Sequence, residues 1–480
     1  MVLAKYLNPG EIKFNDKFFL INIIFGFFPI SFILGSLIVN INLVLFCLIG
    51  AIYLKSQIFK IKLNLTIKII FIFFFFIFLS TFLSFIRSTY FEGYEYENLA
   101  RLIKSLLFLR FFFMLVIVYL LTSLNVLKFK YFFLVAAFSS ILISLDIIFQ
   151  HLTSFNIMGI ESSGIHNSSF FGDEPIAGSF IQRFAFFAIF FSSLLFEKKR
   201  YGRFIFIFLT ITALGLGILF SGNRMPLILF LFGLFLIFFT KIKIKKILLV
   251  SLISFIIILK FILSSREEYK SMYLSYYMQA KNIIAVAPNI DYQLMPRLRN
   301  PFALSNESKK NLSENKTTVK KQISYDVKYQ SGHRRLFLAA VDTWKDNKIF
   351  GNGIKSFRKD CLELDKKDIN IEEDMMPGKK NRLCSNHPHN YYLEVLTETG
   401  LVGLFFILLI GLFFLIFIFK NIKFIKTGNL ENLVLISSSI SLILETLPFK
   451  STGSLFTSNN ATYIIIIASI ILSYKRNYKN

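Results

Sequence analysis

The sequence predicts an all-α, polytopic membrane protein of about 12 transmembrane helices with one large, partly helical loop outside the bilayer. Three observations predict it. Of 480 residues, 55% are hydrophobic, and the mean hydropathy is +0.60. The apolar residues gather in runs long enough to cross a membrane, and lipid leaves such runs only the helix as a way to satisfy their backbone. The net charge of +25 is carried largely by Lys and Arg in short clusters between those runs. That is the pattern of the positive-inside rule, so a nucleic-acid partner is not implied.

The spans expected in order are 18–35, 37–54, 66–86, 100–121, 131–149, 176–196, 204–220, 225–240, 247–264, 399–420, 431–448 and 460–474. The first merges into the second without a small-residue cleavage site, so it reads as a retained helix rather than a signal peptide. With the amino terminus in the cytoplasm, the inside loops hold Lys55, Lys60 and Lys62, Lys128 and Lys130, Lys198 to Arg203, Lys241 to Lys246, and Lys423 and Lys426. The loop 150–175 on the opposite side holds no Lys or Arg. An even number of spans brings the basic tail back to the cytoplasm. The chain therefore divides into spans one to nine (1–264), an outside loop (265–398) and spans ten to twelve (399–480).

Within the loop, 288–318 is rich in Asn, Ser and Lys and reads as a surface excursion. The stretch 334–347 has helical spacing, with Leu336, Ala340, Val341 and Trp344 expected on one face. Cys361 and Cys384 share this loop, and an oxidising compartment permits a disulfide between them. Such a bridge contributes on the order of 3 kcal/mol by the chain-entropy model. The alternative is two free thiols.

Arginine inside a span requires a reason, because it costs about 2.5 to 3.5 kcal/mol at the bilayer centre. Arg183 lies two turns into span six, Arg224 at the outer end of span seven, and Arg101, Lys104 and Arg110 in the outer half of span four. Each could snorkel or pair with Asp146, Asp173 or Glu174; together they could converge on one outward cavity. Guanidinium groups at an outer leaflet suit a lipid diphosphate through paired hydrogen bonds. Two of the five histidines stand at His387 and His389, in CSNHPHNYYLEVLTETG, just ahead of span ten. Pro388 suits a helix start, so the helix is expected to begin there. A neutral imidazole can take a proton from an attacking hydroxyl. Phosphate-binding loops, a dinucleotide fingerprint, CxxC pairs and HExxH are missing from the sequence, and neither a metal nor another cofactor is expected. A metal held by Asp173 and Glu174 is the alternative.

Four stretches resemble the O-antigen ligase and O-antigen polymerase superfamily of bacterial envelope enzymes. FFGDEPIAGSFIQRF resembles the family segment entering a span with a functional arginine, here Arg183. FSGNRMPL resembles its span-end Ser/Thr-Gly-x-Arg, here Arg224. GHRRLFLAAVDTWKDNKIFGNGIKSFRKDC resembles the start of its large periplasmic loop. CSNHPHNYYLEVLTETGLVG resembles its His-Asn-x-x-Leu signature. Where many relatives have Ser-Gly-Arg, this chain reads Ser331-Gly332-His333-Arg334-Arg335, which leaves two candidates for one arginine.

The resemblance implies a GT-C-like membrane glycosyltransferase of the bacterial inner membrane, with both termini cytoplasmic and the loop periplasmic. It implies glycan transfer from a polyprenyl (undecaprenyl) diphosphate carrier to an acceptor hydroxyl, without metal. The acceptor is a lipid A core for a ligase or a carrier-linked glycan for a polymerase; a protein hydroxyl is a third variant. His389 would be the catalytic base. Arg183, Arg224 and one of Arg334 or Arg335 would hold the diphosphate. His387, Asn390, Glu398, Asp173 and Glu174 would support them. The alternative is a transporter or flippase for a lipid-linked sugar, in which the arginines bind diphosphate and no bond changes.

Overall fold

The computed structural model describes residues 18–59, 63–91, 96–172, 174–195, 200–240, 244–274, 277, 332–369, 383–422, 430–451 and 453–477. Among them the chain is helical throughout, and its nearest approach to a strand is a single bridge between Phe155 and Glu161. The helices are α1 (Phe19–Gly26), α2 (Phe28–Leu34), α3 (Ser36–Leu54), α4 (Leu65–Phe91), α5 (Tyr96–Ser123), α6 (Lys130–Thr153), α7 (Ala177–Leu195), α8 (Arg200–Phe220), α9 (Arg224–Ile237) and α10 (Lys245–Ser265). After them come α11 (Gly332–Asp346), α12 (Phe357–Ile369), α13 (Tyr391–Ile422), α14 (Leu430–Glu445) and α15 (Ser458–Asn477). Eight are long and apolar enough to cross a membrane, and α9 and α15 are shorter apolar helices. The protein is a multi-pass membrane protein. The expected first span is broken into α1 and α2 at Phe27.

Helix α7 lies at the centre, packed on α6, α8 and α14, with 72% of its apolar window buried. Helices α10 and α13 are peripheral, at 17% and 22%. Aromatic rings fill the interior. Phe184 of α7 meets Phe32, Phe132, Phe180, Phe187 and Tyr463 with ring centroids 5.0–6.3 Å apart. Offset and edge-on contacts of this kind add to what area burial alone supplies.

Helices α11 and α12 pack over one end of the bundle. The expected amphipathic helix is α11, and its buried face is Leu336, Ala339, Ala340 and Thr343 rather than Val341 and Trp344, which are half-buried. Cys361 of α12 is bonded to Cys384 with Cα atoms 5.7 Å apart. Between α11 and α12 the chain runs along α13: Asn352 N donates to Thr397 O, Gly353 N to Glu398 O and Leu401 N to Lys348 O, at 2.8–3.1 Å. A Cβ on Gly351 would lie 2.5 Å from the Glu398 carbonyl, so the backbones touch only because that residue has none. Helix α13 begins at Tyr391, well before the expected span, and kinks at Gly400. The difference has a physical reason: Glu394, Thr397, Glu398 and Thr399 are buried by protein, not lipid. The 288–318 excursion lies outside the described residues.

Candidate active site

Arg183 stands on α7, half-covered, and its guanidinium is gripped by an acid from another helix. Nε and Nη2 donate to Glu445 Oε2 and Oε1 of α14 at 3.1 and 2.7 Å, and Nη2 also donates to Asn460 Oδ1 of α15 at 2.7 Å. Tyr463 lies under the guanidinium, 4.6 Å from ring centroid to Cζ. The tyrosine hydroxyl and Ser441 Oγ both donate to the Arg183 carbonyl, at 3.1 and 3.0 Å. Glu445 is the hub. It also accepts from Tyr391 OH at 2.7 Å and from Lys450 Nζ at 2.6 Å. Burial pushes the Lys450 ammonium below the ordinary lysine range, while Glu445 pulls it back up. Two cations meet one carboxylate, so the cluster carries a net positive charge at the wall of a cavity lined also by Phe171, Glu174, Tyr391 and Asn459.

The His-Pro-His-Asn turn abuts this cluster. Asn390, not Pro388, caps α13: its Oδ1 accepts from the amides of Tyr392 and Leu393 at 3.0 and 3.1 Å, the usual service of an Asn at this position. Its Nδ2 donates to Pro448 O at 2.7 Å, which fixes the turn to the loop that carries Lys450. His389 precedes the cap with φ +54°, a left-handed conformation in a half-buried residue. Its ring lies 4.2 Å from that of His387, centroid to centroid. The disulfide at Cys384 anchors the turn from the other side. Glu394, one turn into α13, accepts from Ser454 Oγ and, at 2.6 Å, from the amide of Leu455. Glu398 Oε2 accepts from the amide of Lys355 at 2.6 Å.

The remaining cations do not converge as expected. Arg224 opens α9, its Nη1 reaching Met272 O at 3.5 Å, and it does not line the Arg183 cavity. Its Ser-Gly-Asn turn is nevertheless seated on α7, since a Cβ on Gly178 would meet Ser221 Oγ at 2.2 Å. Arg110 binds Asn40 Oδ1 and Ser458 Oγ at 3.1 Å each. Arg101 binds Asn98 Oδ1 and faces a different cavity. Nine residues of helix place Arg101 and Arg110 about 13 Å apart along the axis, too far to share a ligand. Asp146 binds Ser169 Oγ and the amide of Ile157, so it organises the loop after α6 instead of pairing with Arg183. Asp173 and the side chains of Arg334 and Arg335 lie outside the described residues. Glu174 lines the cavity.

A family model described as O-antigen ligase matches residues 208–408. That segment is similar to the O-antigen ligase family. No curated protein matches the chain significantly. The matched segment resembles the O-antigen ligase family, and the likeness is consistent with a glycosyltransferase-type activity in general.

The matched segment contains Arg224, the two arginines at the start of α11 and the His-Pro-His-Asn turn. Arg183, Glu445, Lys450 and Asn460 fall outside its matched residues, although Tyr391 inside it shares their carboxylate. The matched segment and the helices flanking it thus meet at Glu445. The sequence alone does not point to Glu445, Asn460, Tyr391, Tyr463 or Lys450 as members of one cluster. The available signal was the pair itself: an acid ending an apolar helix in ILETLPFK, five residues before a lysine.

Proposed function

We propose that this protein transfers a glycan from a polyprenyl diphosphate carrier to an acceptor hydroxyl at the periplasmic face of the bacterial inner membrane. One observation carries the reading: a cavity walled by Arg183 and Lys450, with buried Glu445 between them, lies against the turn that carries His389, although the imidazole is not among the groups that line it. The reaction balances simply. The His389 imidazole takes the acceptor's hydroxyl proton, the oxygen attacks the anomeric carbon, and the bond from that carbon to the diphosphate oxygen breaks. The leaving carrier diphosphate gains negative charge where Arg183 and Lys450 can offset it. Preorganised cations outside bulk water stabilise such charge far better than solvent does. They supply the neutralisation that a divalent ion would otherwise supply, so the reaction requires none. The acceptor is a lipid A core or a carrier-linked glycan.

The test is reconstitution in liposomes with lipid-linked glycan and both acceptors. Wild-type protein forms a new glycosidic product on one of them, at a rate unchanged by EDTA. His389→Ala loses about 10²-fold or more of the rate, as expected for a general base, while its melting temperature stays put. A fully active His389→Ala variant overturns the assignment.

A further inference from the structure

A second polar cavity lies between the end of α4, the start of α5 and α12. Its walls include Ser84, Arg87, Arg101, Asn352, Lys359 and Asp360, none of which lines the Arg183 cavity. The frame is fixed by hydrogen bonds. Ser84 Oγ donates to Asn352 O at 2.7 Å, Asn352 Nδ2 to Thr343 O at 3.1 Å, and Arg87 Nη2 to Asn352 Oδ1 at 3.4 Å. Asp360 is left incomplete: among the described residues, its buried Oδ2 has no hydrogen-bond partner. Burial lifts this carboxyl to about 6, against the pull of Ser356 and Arg101, so it is ionised at neutral pH. A buried acceptor without a donor is costly and calls for a ligand or water to complete it.

The mixed signs narrow the ligand's class. A simple anion meets Asp360 and Glu363; a simple cation meets Arg87, Arg101 and Lys359. A sugar ring answers both, because each hydroxyl donates and accepts. We propose that this cavity holds one saccharide unit of a glycan substrate, with a hydroxyl donating to Asp360 Oδ2 and neighbouring hydroxyls accepting from Arg87 or Arg101. A polar seam leads from it to the transfer site. Lys104, one turn from Arg101, lies close enough to Lys355 to help burial lower that ammonium's pKa, alongside Arg358. The Lys355 amide binds Glu398, Glu394 on the next turn binds Ser454, and Ser454 O accepts from the Asn460 that contacts Arg183. Glu398, Glu394 and Ser454 are buried, so the seam connects the two cavities through protein rather than along a surface.

That the ligand is a glycan substrate rests on the transfer reading, but sugar binding can be measured without turnover. Trp344 is the chain's single tryptophan and neighbours Thr343, whose carbonyl holds Asn352. Its fluorescence is titrated in purified full-length protein, with calorimetry on the same samples in case the indole is silent. One arm uses free oligosaccharide cleaved by mild acid from the cells' own carrier-linked glycan, the other core oligosaccharide cleaved from their lipid A. One arm is expected to saturate, identifying the source. Asp360→Asn and Arg101→Gln are expected to raise its Kd about tenfold or more. Ser88→Phe, which fills the cavity from its half-buried rim, is expected to do the same if either polar variant fails to fold. No saturation in either arm, or wild-type affinity in folded variants, overturns the proposal. Sugar binding without product in liposomes would instead count against the transfer reading and leave this site standing.

Discussion

Glu445 shows what a residue-by-residue reading misses. Its carboxylate is 1% exposed and accepts from Arg183 twice, from Tyr391 and from Lys450. Arg183 and Lys450 are visible in the sequence as cations where lipid makes cations expensive, but their partner lies 262 positions from Arg183. Only the packing of α7 on α14 brings them together. The same geometry ranks the members of the cluster. Removing Glu445 leaves two buried cations facing each other, and breaking a buried pair from one side costs about 3–5 kcal/mol. Removing Asn460 deletes a neutral acceptor and costs about 1.5–3 kcal/mol for a hydrogen bond to a charged group. Glu445→Gln should therefore lower the melting temperature in detergent about twofold more than Asn460→Ala does. Equal shifts would mean that Glu445 is not the hub the distances indicate.

At the level of elements, the spans were legible because lipid allows an apolar backbone run one solution. The interruptions were not, because they answer to contacts distant in sequence. Helix α13 reads as a uniform helix through TETGLVGLFF, yet Gly400 has φ +68° and ψ −166°, a conformation essentially reserved for glycine. The kink lets the 348–353 segment run alongside, and the Ile349 carbonyl oxygen would sit 2.2 Å from a Cβ at Gly400. Gly411, about three turns further along the same helix, has open space where its Cβ would be. The two glycines should respond oppositely to the same methyl group. Gly400→Ala combines roughly 1–3 kcal/mol of backbone strain with a collision and should abolish stable expression. Gly411→Ala removes a flexible residue from a helix interior, worth about 1 kcal/mol, and should be neutral or stabilising by thermal melting. The candidate site was legible to the same partial extent. The His-Pro-His-Asn turn and Arg183 announce themselves by composition, whereas the Asn390 cap and its tie to Pro448 emerge only in three dimensions.

For the whole molecule, charge and packing point the same way. The ends of α4, α7, α13 and α14 that carry Arg87, the Arg183 cavity, the His-Pro-His-Asn turn and Glu445 gather on the side covered by α11 and α12. The opposite ends of these helices adjoin the basic connections 60–62, 198–203 and 423–426. Positively charged short loops stay in the cytoplasm, so the α11–α12 side should face the periplasm. Helix α7, 19 residues and hence about 28 Å long, separates the two faces. Ser163, exposed in the loop before it, and Tyr201, exposed just after it, report on them. In intact cells with a permeable outer membrane, a membrane-impermeant maleimide should label Ser163→Cys within minutes. Tyr201→Cys should react only once the inner membrane is opened. Cys361 and Cys384 are bonded to each other, and replacing the free Cys47 with serine removes the remaining thiol. The reverse labelling pattern would put His389 and Arg183 in the cytoplasm, where the carrier-linked donor envisaged here is not presented, and the transfer reading would fall with the topology.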